Sequence, residues 1–235
     1  MRIAWGLALL TGLAGAAPEG TYEPRAVEGW TVLVERPLLD EQAALGRDAL
    51  RLLEVKLYDV GRVVPSKACA ELRRVPIYLC FQGGSRGGPG AEYHPDAGWL
   101  KANGYSTDLA KCVHIPRAED LATIRNIREQ PWVILHELAH AYHDQVLDFN
   151  EPRIVAAYEA YKKSGHGDNT LLFDGTRVKH YALTDQMEFF AEMTESYFGS
   201  NDFFPFNRAE LKESEPAIYA LMQELWEPAK KKKKP

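Results

Sequence analysis

The chain has 235 residues, of which 46% are hydrophobic and 26% are charged, with a formal net charge of −5. This composition is typical of a globular protein with one good-sized core, and it argues against a second domain. Arg2 and the five lysines at 230–234 supply six positive charges, so the rest of the chain carries a net charge of −11. We therefore expect no nucleic-acid binding by the folded part.

The N-terminal stretch has the pattern of a signal peptide. Arg2 precedes an apolar run at 3–14, and the small residues at 14–16 are of the kind that a signal peptidase recognises. The run is too short for a permanent membrane anchor, and a buried N-terminal helix would leave its glycine-rich end unexplained. We expect a secreted or periplasmic protein. The expected divisions are a signal peptide at 1–17, one domain at 18–228 and a disordered lysine-rich tail at 229–235.

Three cysteines remain after that cleavage: Cys69, Cys80 and Cys112. In an oxidising compartment we expect one pair to form a disulfide, which leaves one thiol free. Spacing does not decide between Cys80–Cys112, which would join two predicted strands, and Cys69–Cys80, which would close a short loop. The chain has no Cys-x-x-Cys, so cysteine ligation of zinc is not expected.

The first part of the mature chain predicts three strands and one long helix. The strands are predicted at 29–38, 75–81 and 112–115, and the helix at 40–59. We expect Asp40 to cap this helix, and Leu45, Leu52, Leu53 and Val55 to lie on its buried face. A glycine-rich stretch at 83–90 lacks the Gly-Lys-Ser/Thr of a phosphate loop and is expected to be a surface loop.

A His-Glu-Leu-Ala-His sequence begins at His136, inside an apolar run that predicts one buried helix starting near Pro131. On a helix His136 and His140 are one turn apart on the same face, so both imidazoles can bind one metal ion. Glu137 is then close enough to accept a proton from the attacking water. Burying these polar groups is costly without a partner, and a metal ion is the natural partner. His143 is too far along the helix to bind the same ion, and we interpret it as a histidine that supports the ligands from behind or forms another hydrogen bond.

A second helix is predicted over 184–198, with Thr184 or Asp185 as its cap. Three glutamates at positions i, i+4 and i+7 form a stripe on one face of this helix. They are Glu188, Glu192 and Glu195. Like charges at this spacing repel one another, so a cation in front of them would explain the arrangement. We expect the third metal ligand in this helix.

The remaining C-terminal elements surround that helix. Asp174-Gly175 is a strong hairpin signal between the strands predicted at 170–173 and 176–181. This hairpin would bring Tyr181 into the site just before the second helix. We also predict a surface helix at 154–163, an aromatic segment packed under the site at 201–207, and an amphipathic helix at 216–227.

These residues resemble a known family. The His136–His140 sequence, with Tyr181 seven residues before Glu188, is similar to the catalytic domain of anthrax lethal factor and its relatives. Those proteins are gluzincin-type zinc metallopeptidases whose third ligand is a glutamate. The resemblance covers 131–199. It implies zinc ligands His136, His140 and Glu188, the general base Glu137, Tyr181 facing the reacting carbonyl, and Glu192 as the carboxylate supporting the ligands from behind.

The resemblance also implies the fold, an α+β zincin-like domain with a small mixed sheet packed on the His-Glu-x-x-His helix and a C-terminal helical part. Tyr93, His94 and Trp99 would line the cleft, although His94 fits equally well as a structural histidine. Zincins hold peptide substrates extended along an edge strand. The strand at 75–81 or the one at 112–115 would provide that edge.

The function that follows is a secreted zinc metallopeptidase that acts on peptide or protein substrates. We expect a monomer, with Zn²⁺ as cofactor and no stable membrane insertion. Two alternatives stay open: a zincin-fold binding protein without turnover, and a zinc amidase that acts on cell-wall peptides. Because the large targeting domains of the toxin are missing from this chain, its substrate cannot be inferred from the resemblance.

Overall fold

The computed structural model describes residues 22–81 and 90–227, which form a mixed α+β architecture. Its strands are β1 (Tyr22–Val27), β2 (Trp30–Glu35), β3 (Ile77–Leu79), β4 (Glu92–His94), β5 (Cys112–Ile115), β6 (Thr170–Leu171) and β7 (Arg177–Val178). Its α-helices are α1 (Ala43–Val63), α2 (Ser66–Leu72), α3 (Ala97–Ala102), α4 (Val133–Tyr142), α5 (Pro152–Ser164), α6 (Gln186–Phe198), α7 (Arg208–Ser214) and α8 (Pro216–Trp226). The predicted signal peptide, the lysine-rich tail and all of the glycine-rich loop except Gly90 lie outside the described residues.

Strands β1 to β5 form one small mixed sheet in the order β1-β2-β3-β5-β4. The three middle strands are parallel, and each edge strand is antiparallel to its neighbour. The strands predicted at 75–81 and 112–115 correspond to β3 and β5, which are paired on both sides. The expectation that one of them offers an edge to a substrate is therefore wrong, and the edge strand that contacts α4 is β4.

Helix α1 starts later than predicted; of the four residues predicted to be buried, Leu53 is buried, Leu45 and Leu52 are partly buried, and Val55 is exposed. A 3-10 turn at Arg36–Leu38 follows β2, so the helix begins at Ala43 and Asp40 does not cap it. Its buried face repeats at helical spacing through Ala49, Leu53, Leu57 and Val60. Val55 lies on the opposite side and is 56% exposed, which corrects the predicted burial.

The two helices predicted to carry the site pack against each other. Helix α4 also contacts β4 and β5, so the His-Glu-x-x-His segment lies between the sheet and α6, as the expected architecture requires. Nearly every side chain of α4 is buried. The helix begins two residues after Pro131, with Trp132 at its N-cap, and continues beyond Tyr142 as a π-helical turn at His143–Leu147.

The C-terminal part of the described chain is mainly helical, as expected. Helix α5 was predicted at the surface, but one of its faces is buried through Ile154, Tyr158 and Tyr161. The predicted hairpin is present as the short pair β6 and β7. The aromatic segment packs against it: the ring of Phe203 stacks on His180 with 4.8 Å between centroids, and the amide of Phe204 donates to the carbonyl of Leu171.

All three cysteines are free and buried, so neither of the two expected disulfides is formed. Cys80 hydrogen-bonds the hydroxyl of Tyr22 at 3.5 Å, and the thiol of Cys112 donates to the carbonyl oxygens of Asp108 and Ala110. Across the described ranges, no helix has the length and apolar character needed to span a membrane.

Candidate metal centre

Helix α4 places three predicted site residues at one point of the interior. His136 and Glu137 are buried and His140 is nearly so, because apolar neighbours draw the whole helix into the core. The two histidines are one helical turn apart, and their Nε2 atoms are 3.1 Å from each other. Two imidazole nitrogens that converge in this way can bind one metal ion.

Helix α6 supplies the third donor, Glu188. The carboxylate of Asp185 accepts hydrogen bonds from the amides of Met187 and Glu188, and this cap fixes the start of α6. Glu188 consequently lies in the first turn and points towards α4. Its Oε2 atom is 3.1 Å from His136 Nε2 and 3.4 Å from His140 Nε2.

The three donor atoms form a triangle with edges of 3.1, 3.1 and 3.4 Å. A tetrahedral ion with ligand bonds of about 2.0–2.1 Å separates its ligands by about 3.3 Å, so the triangle fits such an ion. Burial alone would raise the pKa of Glu188, but hydrogen bonds from His136 and His140 hold it well below its usual range. This His/His/Glu group could hold a metal ion.

Behind the triangle, a second carboxylate of α6 orients His136. Its Nδ1–H donates to Glu195 Oε1 at 2.7 Å, whereas the nearest oxygen of Glu192 is 3.7 Å away. A carboxylate on the far nitrogen of a ligating histidine fixes the ring and increases its basicity. The resemblance assigned this support to Glu192, but the residue that makes the hydrogen bond is Glu195, one turn further along.

The interior behind His136 is rich in acidic groups. Burial, together with the charge of Glu195, raises the pKa of Glu192 well above its usual value, so Glu192 keeps its proton. Burial alone would lower the pKa of His136, but hydrogen bonds to Glu188 and Glu195 raise it well above its usual value. A divalent ion would displace the proton from His136 on binding.

A backbone amide of the edge strand holds Glu137. The N–H of Tyr93 in β4 donates to Glu137 Oε2 at 2.7 Å, which orients the carboxylate beside the triangle. Burial raises the pKa of Glu137, although the charges of His136 and His140 oppose the rise. A carboxylate with a raised pKa is better matched to proton transfer near neutral pH.

Tyr181 lies at the open side of the triangle, immediately after the hairpin. Its hydroxyl donates to Glu188 Oε1, the oxygen that does not face the histidines, at 3.3 Å. The side chain of Tyr181 is 47% exposed, whereas the side chains of the three ligands are 10–19% exposed. Burial of the hydroxyl and the charge of Glu188 raise the pKa of Tyr181 to about 12, so it remains a hydrogen-bond donor at neutral pH.

Other expectations for the site are wrong. Both ring nitrogens of His143 lack a hydrogen-bond partner among the described residues, and the ring packs against Phe149 and Phe190. His143 is therefore not a hydrogen-bonding histidine. Of the three residues expected to line the cleft, only Tyr93 contacts the site. The ring of His94 is buried on the face of the sheet away from α4, where it packs against Trp99, which is 52% exposed, and Tyr105; this burial fits the alternative expectation of a structural histidine.

Two contacts of the site were not predicted from the sequence: that of Glu195, which was placed on the glutamate stripe, with His136, and that of Tyr93 with Glu137. The contact of Glu195 could have been found from its spacing, because it lies two turns from Glu188 on the same stripe. The contact of Tyr93 with Glu137 has no sequence signal, since the donor is a main-chain amide.

The chain matches no protein-family model, no curated protein and no solved structure.

Proposed function

We propose that this chain is a zinc metallopeptidase of the zincin type, which hydrolyses peptide bonds at the His136–His140–Glu188 triangle. One observation carries the proposal: a three-donor group of metal-binding geometry has a carboxylate of raised pKa directly beside it. A structural metal site needs only ligands. The buried carboxylate of Glu137, held by the amide of Tyr93 and left out of the triangle, is the group that a hydrolytic site needs for proton transfer.

Zinc is the ion that suits these donors. Two imidazoles and one carboxylate are the ligands of catalytic zinc sites in which a fourth position is left for water or substrate. Hard ions such as magnesium and calcium prefer shells of oxygen ligands, and two of the three donors here are nitrogens. The far nitrogen of His136 is bonded to Glu195, which is the support that a zinc-ligating histidine usually receives.

Zinc bound at the triangle would polarise the scissile carbonyl and lower the pKa of the attacking water. Glu137 accepts a proton from that water as the oxygen adds to the carbonyl carbon. Tyr181 donates a hydrogen bond to the carbonyl oxygen as negative charge develops on it. When the C–N bond breaks, Glu137 passes the proton to the departing amine, and the products are a carboxylate and an amine.

The substrate would bind in an extended form beside β4. This strand is the edge of the sheet on the side of the site, and its central residue contacts the general base. An edge strand can pair with a peptide backbone, which gives affinity with little dependence on side chains.

The test is digestion of a peptide library by zinc-loaded protein, with zinc content measured on the same samples. We expect cleavage by the wild-type protein and by Glu224→Gln, an exposed carboxylate change that serves as control. Glu137→Gln keeps the shape but removes the base, so it should retain zinc and lose turnover to near background.

Peptidoglycan is assayed in parallel. Hydrolysis of peptidoglycan without peptide cleavage would replace the proposal with a zinc amidase. Zinc binding with no turnover on either substrate would replace it with a binding protein.

A further inference from the structure

A second group of metal-binding side chains lies on the other face of the sheet. His94 Nε2 is 3.4 Å from His114 Nδ1 and 3.7 Å from Glu92 Oε2, and all three donor atoms lie within 4.8 Å of one another. Both histidines are buried, and Glu92 is partly exposed. We call these three residues the sheet-face cluster.

The strand register separates this cluster from the first site. Glu92 pairs with His114, and Tyr93 pairs with Val113, across the antiparallel strands β4 and β5. Side chains alternate between the two faces of a sheet, so Glu92, His94 and His114 share one face while Tyr93 and Val113 point to the other. Tyr93 and Val113 belong to the core that contains α4, so the cluster faces away from the triangle.

We propose that Glu92, His94 and His114 form a second transition-metal site, with zinc as the ion whose ligand preferences they match. The His–His separation of 3.4 Å is already that of two ligands on one tetrahedral ion, which are about 3.3 Å apart. Glu92 completes the site by a small side-chain movement, and its exposed side gives the ion a path from solvent. The fourth position is left to water.

The chemistry of the surroundings favours this assignment. Both histidines are buried, and burial disfavours the charged form of an imidazole, so the surroundings favour the neutral form that binds metals. Cys112 pairs with His94 in the register, but its thiol is directed to two carbonyl oxygens and is not needed as a ligand. At 3.4 Å, the contact between the two rings is also long for a hydrogen bond.

An ion here would join two strands. It would bind Glu92 and His94 in β4 and His114 in β5, and so fix the edge strand to its neighbour. The residue between the two β4 ligands is Tyr93, whose amide holds Glu137. The role we infer for the second ion is therefore structural: it secures the strand on which the general base depends.

The experiment counts metal ions in the full chain by equilibrium dialysis against Zn²⁺, and repeats the titration with Co²⁺, whose visible spectrum reports tetrahedral coordination. We expect about two ions per chain for the wild-type protein and about one after His136→Ala with His140→Ala. Adding His94→Ala and His114→Ala to that variant should abolish binding. His166→Ala, which removes an exposed histidine, and Cys112→Ser should bind as wild type does.

The two sites are distinguished by which pair of His→Ala changes lowers the number of bound ions. If the His136/His140 variant fails to fold, as judged by circular dichroism, the change in stoichiometry caused by His94→Ala with His114→Ala in the otherwise unchanged chain decides the question. Unchanged stoichiometry after that change would overturn the second site, and the contact would then be a His–His hydrogen bond alone. A wild-type chain that binds a single ion, which His94→Ala with His114→Ala removes and His136→Ala with His140→Ala does not, would overturn the proposed peptidase and leave the sheet-face cluster standing.

Discussion

Glu192 and Glu195 lie one helical turn apart on α6, but only Glu195 hydrogen-bonds His136. Glu195 accepts the Nδ1–H of His136 at 2.7 Å, whereas Glu192 is 3.7 Å away and keeps its own proton because burial raises its pKa. A matched pair of changes separates them. We expect Glu195→Gln to weaken zinc binding roughly 10–100-fold, the usual loss for a carboxylate behind a zinc ligand. Glu192→Gln replaces a neutral group by a neutral group and should leave the zinc affinity close to the wild-type value.

The measurement is competition with a chelator of known affinity, on both variants and the wild-type protein. An equal loss of zinc affinity in the two variants would mean that the affinity depends on the number of carboxyl groups around His136 and not on its hydrogen bond to Glu195.

Tyr181 has two partners in the proposed reaction: Glu188 Oε1 in the structure and the carbonyl oxygen of the substrate during hydrolysis. Tyr181→Phe removes one hydroxyl from a half-exposed side chain and should lower kcat by roughly 10²–10³, the usual loss for one oxyanion donor. KM and zinc content should change little, because the hydrogen bond strengthens mainly as charge develops. Steady-state kinetics on a cleaved peptide provides the measurement.

Tyr58→Phe, which removes the hydroxyl of an exposed tyrosine on α1, is the control and should have wild-type kinetics. A loss of zinc from Tyr181→Phe, with kcat unchanged per bound zinc, would instead assign the hydroxyl to positioning Glu188.

At the scale of secondary-structure elements, the cap of α6 links stability to metal binding. Asp185 accepts the amides of Met187 and Glu188, and Asn207 caps α7 in the same way through Ala209 and Glu210. We expect Asp185→Ala and Asn207→Ala each to lower the free energy of unfolding by about 1 kcal/mol, as measured by urea denaturation. Only Asp185→Ala should also weaken zinc binding, because Glu188 lies in the turn that the cap fixes. Equal zinc affinities in the two variants would contradict this link.

The sequence predicted the elements that carry strong periodic or capping patterns. Helices α4 and α6 follow from their apolar spacing, and the cap at Asp185 was one of two expected. Strand β1 was missed because Tyr22–Val27 contains a proline and polar residues that do not alternate. The sequence signal that could have predicted β1 is Glu28-Gly29 just before β2. In the structure these two residues form a two-residue hairpin turn, with φ values of +49° and +88°.

The orientation of elements was harder to predict than their existence. Spacing places Glu188, Glu192 and Glu195 on one stripe, but only the rotation of α6 against α4 decides which of them contacts His136. The interior positions of β3 and β5 likewise depend on the order of strands, which no local pattern encodes. The sequence therefore predicted the two histidines and the helix that carries the third donor, and the resemblance selected Glu188, whereas the contacts around these residues depend on tertiary packing.

At the scale of the whole molecule, buried neutral histidines make the metal-free protein sensitive to acid. Burial, with a contribution from His140, lowers the pKa of His143 from 6.5 to about 4. Below pH 6.5 the unfolded chain therefore binds a proton that the folded protein rejects until about pH 4. The free energy of unfolding therefore falls as the pH drops from 6.5 to about 4, and His143 accounts for a loss of up to about 3 kcal/mol.

His143→Leu tests that account. The change removes two ring nitrogens that have no hydrogen-bond partner among the described residues, so we expect a gain of about 1 kcal/mol at neutral pH. The gain should grow towards pH 4, because the variant has no proton to reject at this position. Urea denaturation of chelator-treated protein across the pH range measures both effects. His166→Leu, at an exposed histidine, should keep the wild-type fall, and a gain independent of pH in His143→Leu would refute the role of the proton.

Strand β4 is only three residues long, yet its alternation assigns Tyr93 to the face of the triangle and Glu92 and His94 to the other face. A slip of one residue exchanges the two faces of a strand. A single insertion or deletion that shifted β4 against β5 would thus withdraw the amide from Glu137 and turn the sheet-face cluster into the core at the same time. Among natural variants of this protein, changes of length should accordingly be absent between Glu92 and His94 and should accumulate in the connections on either side.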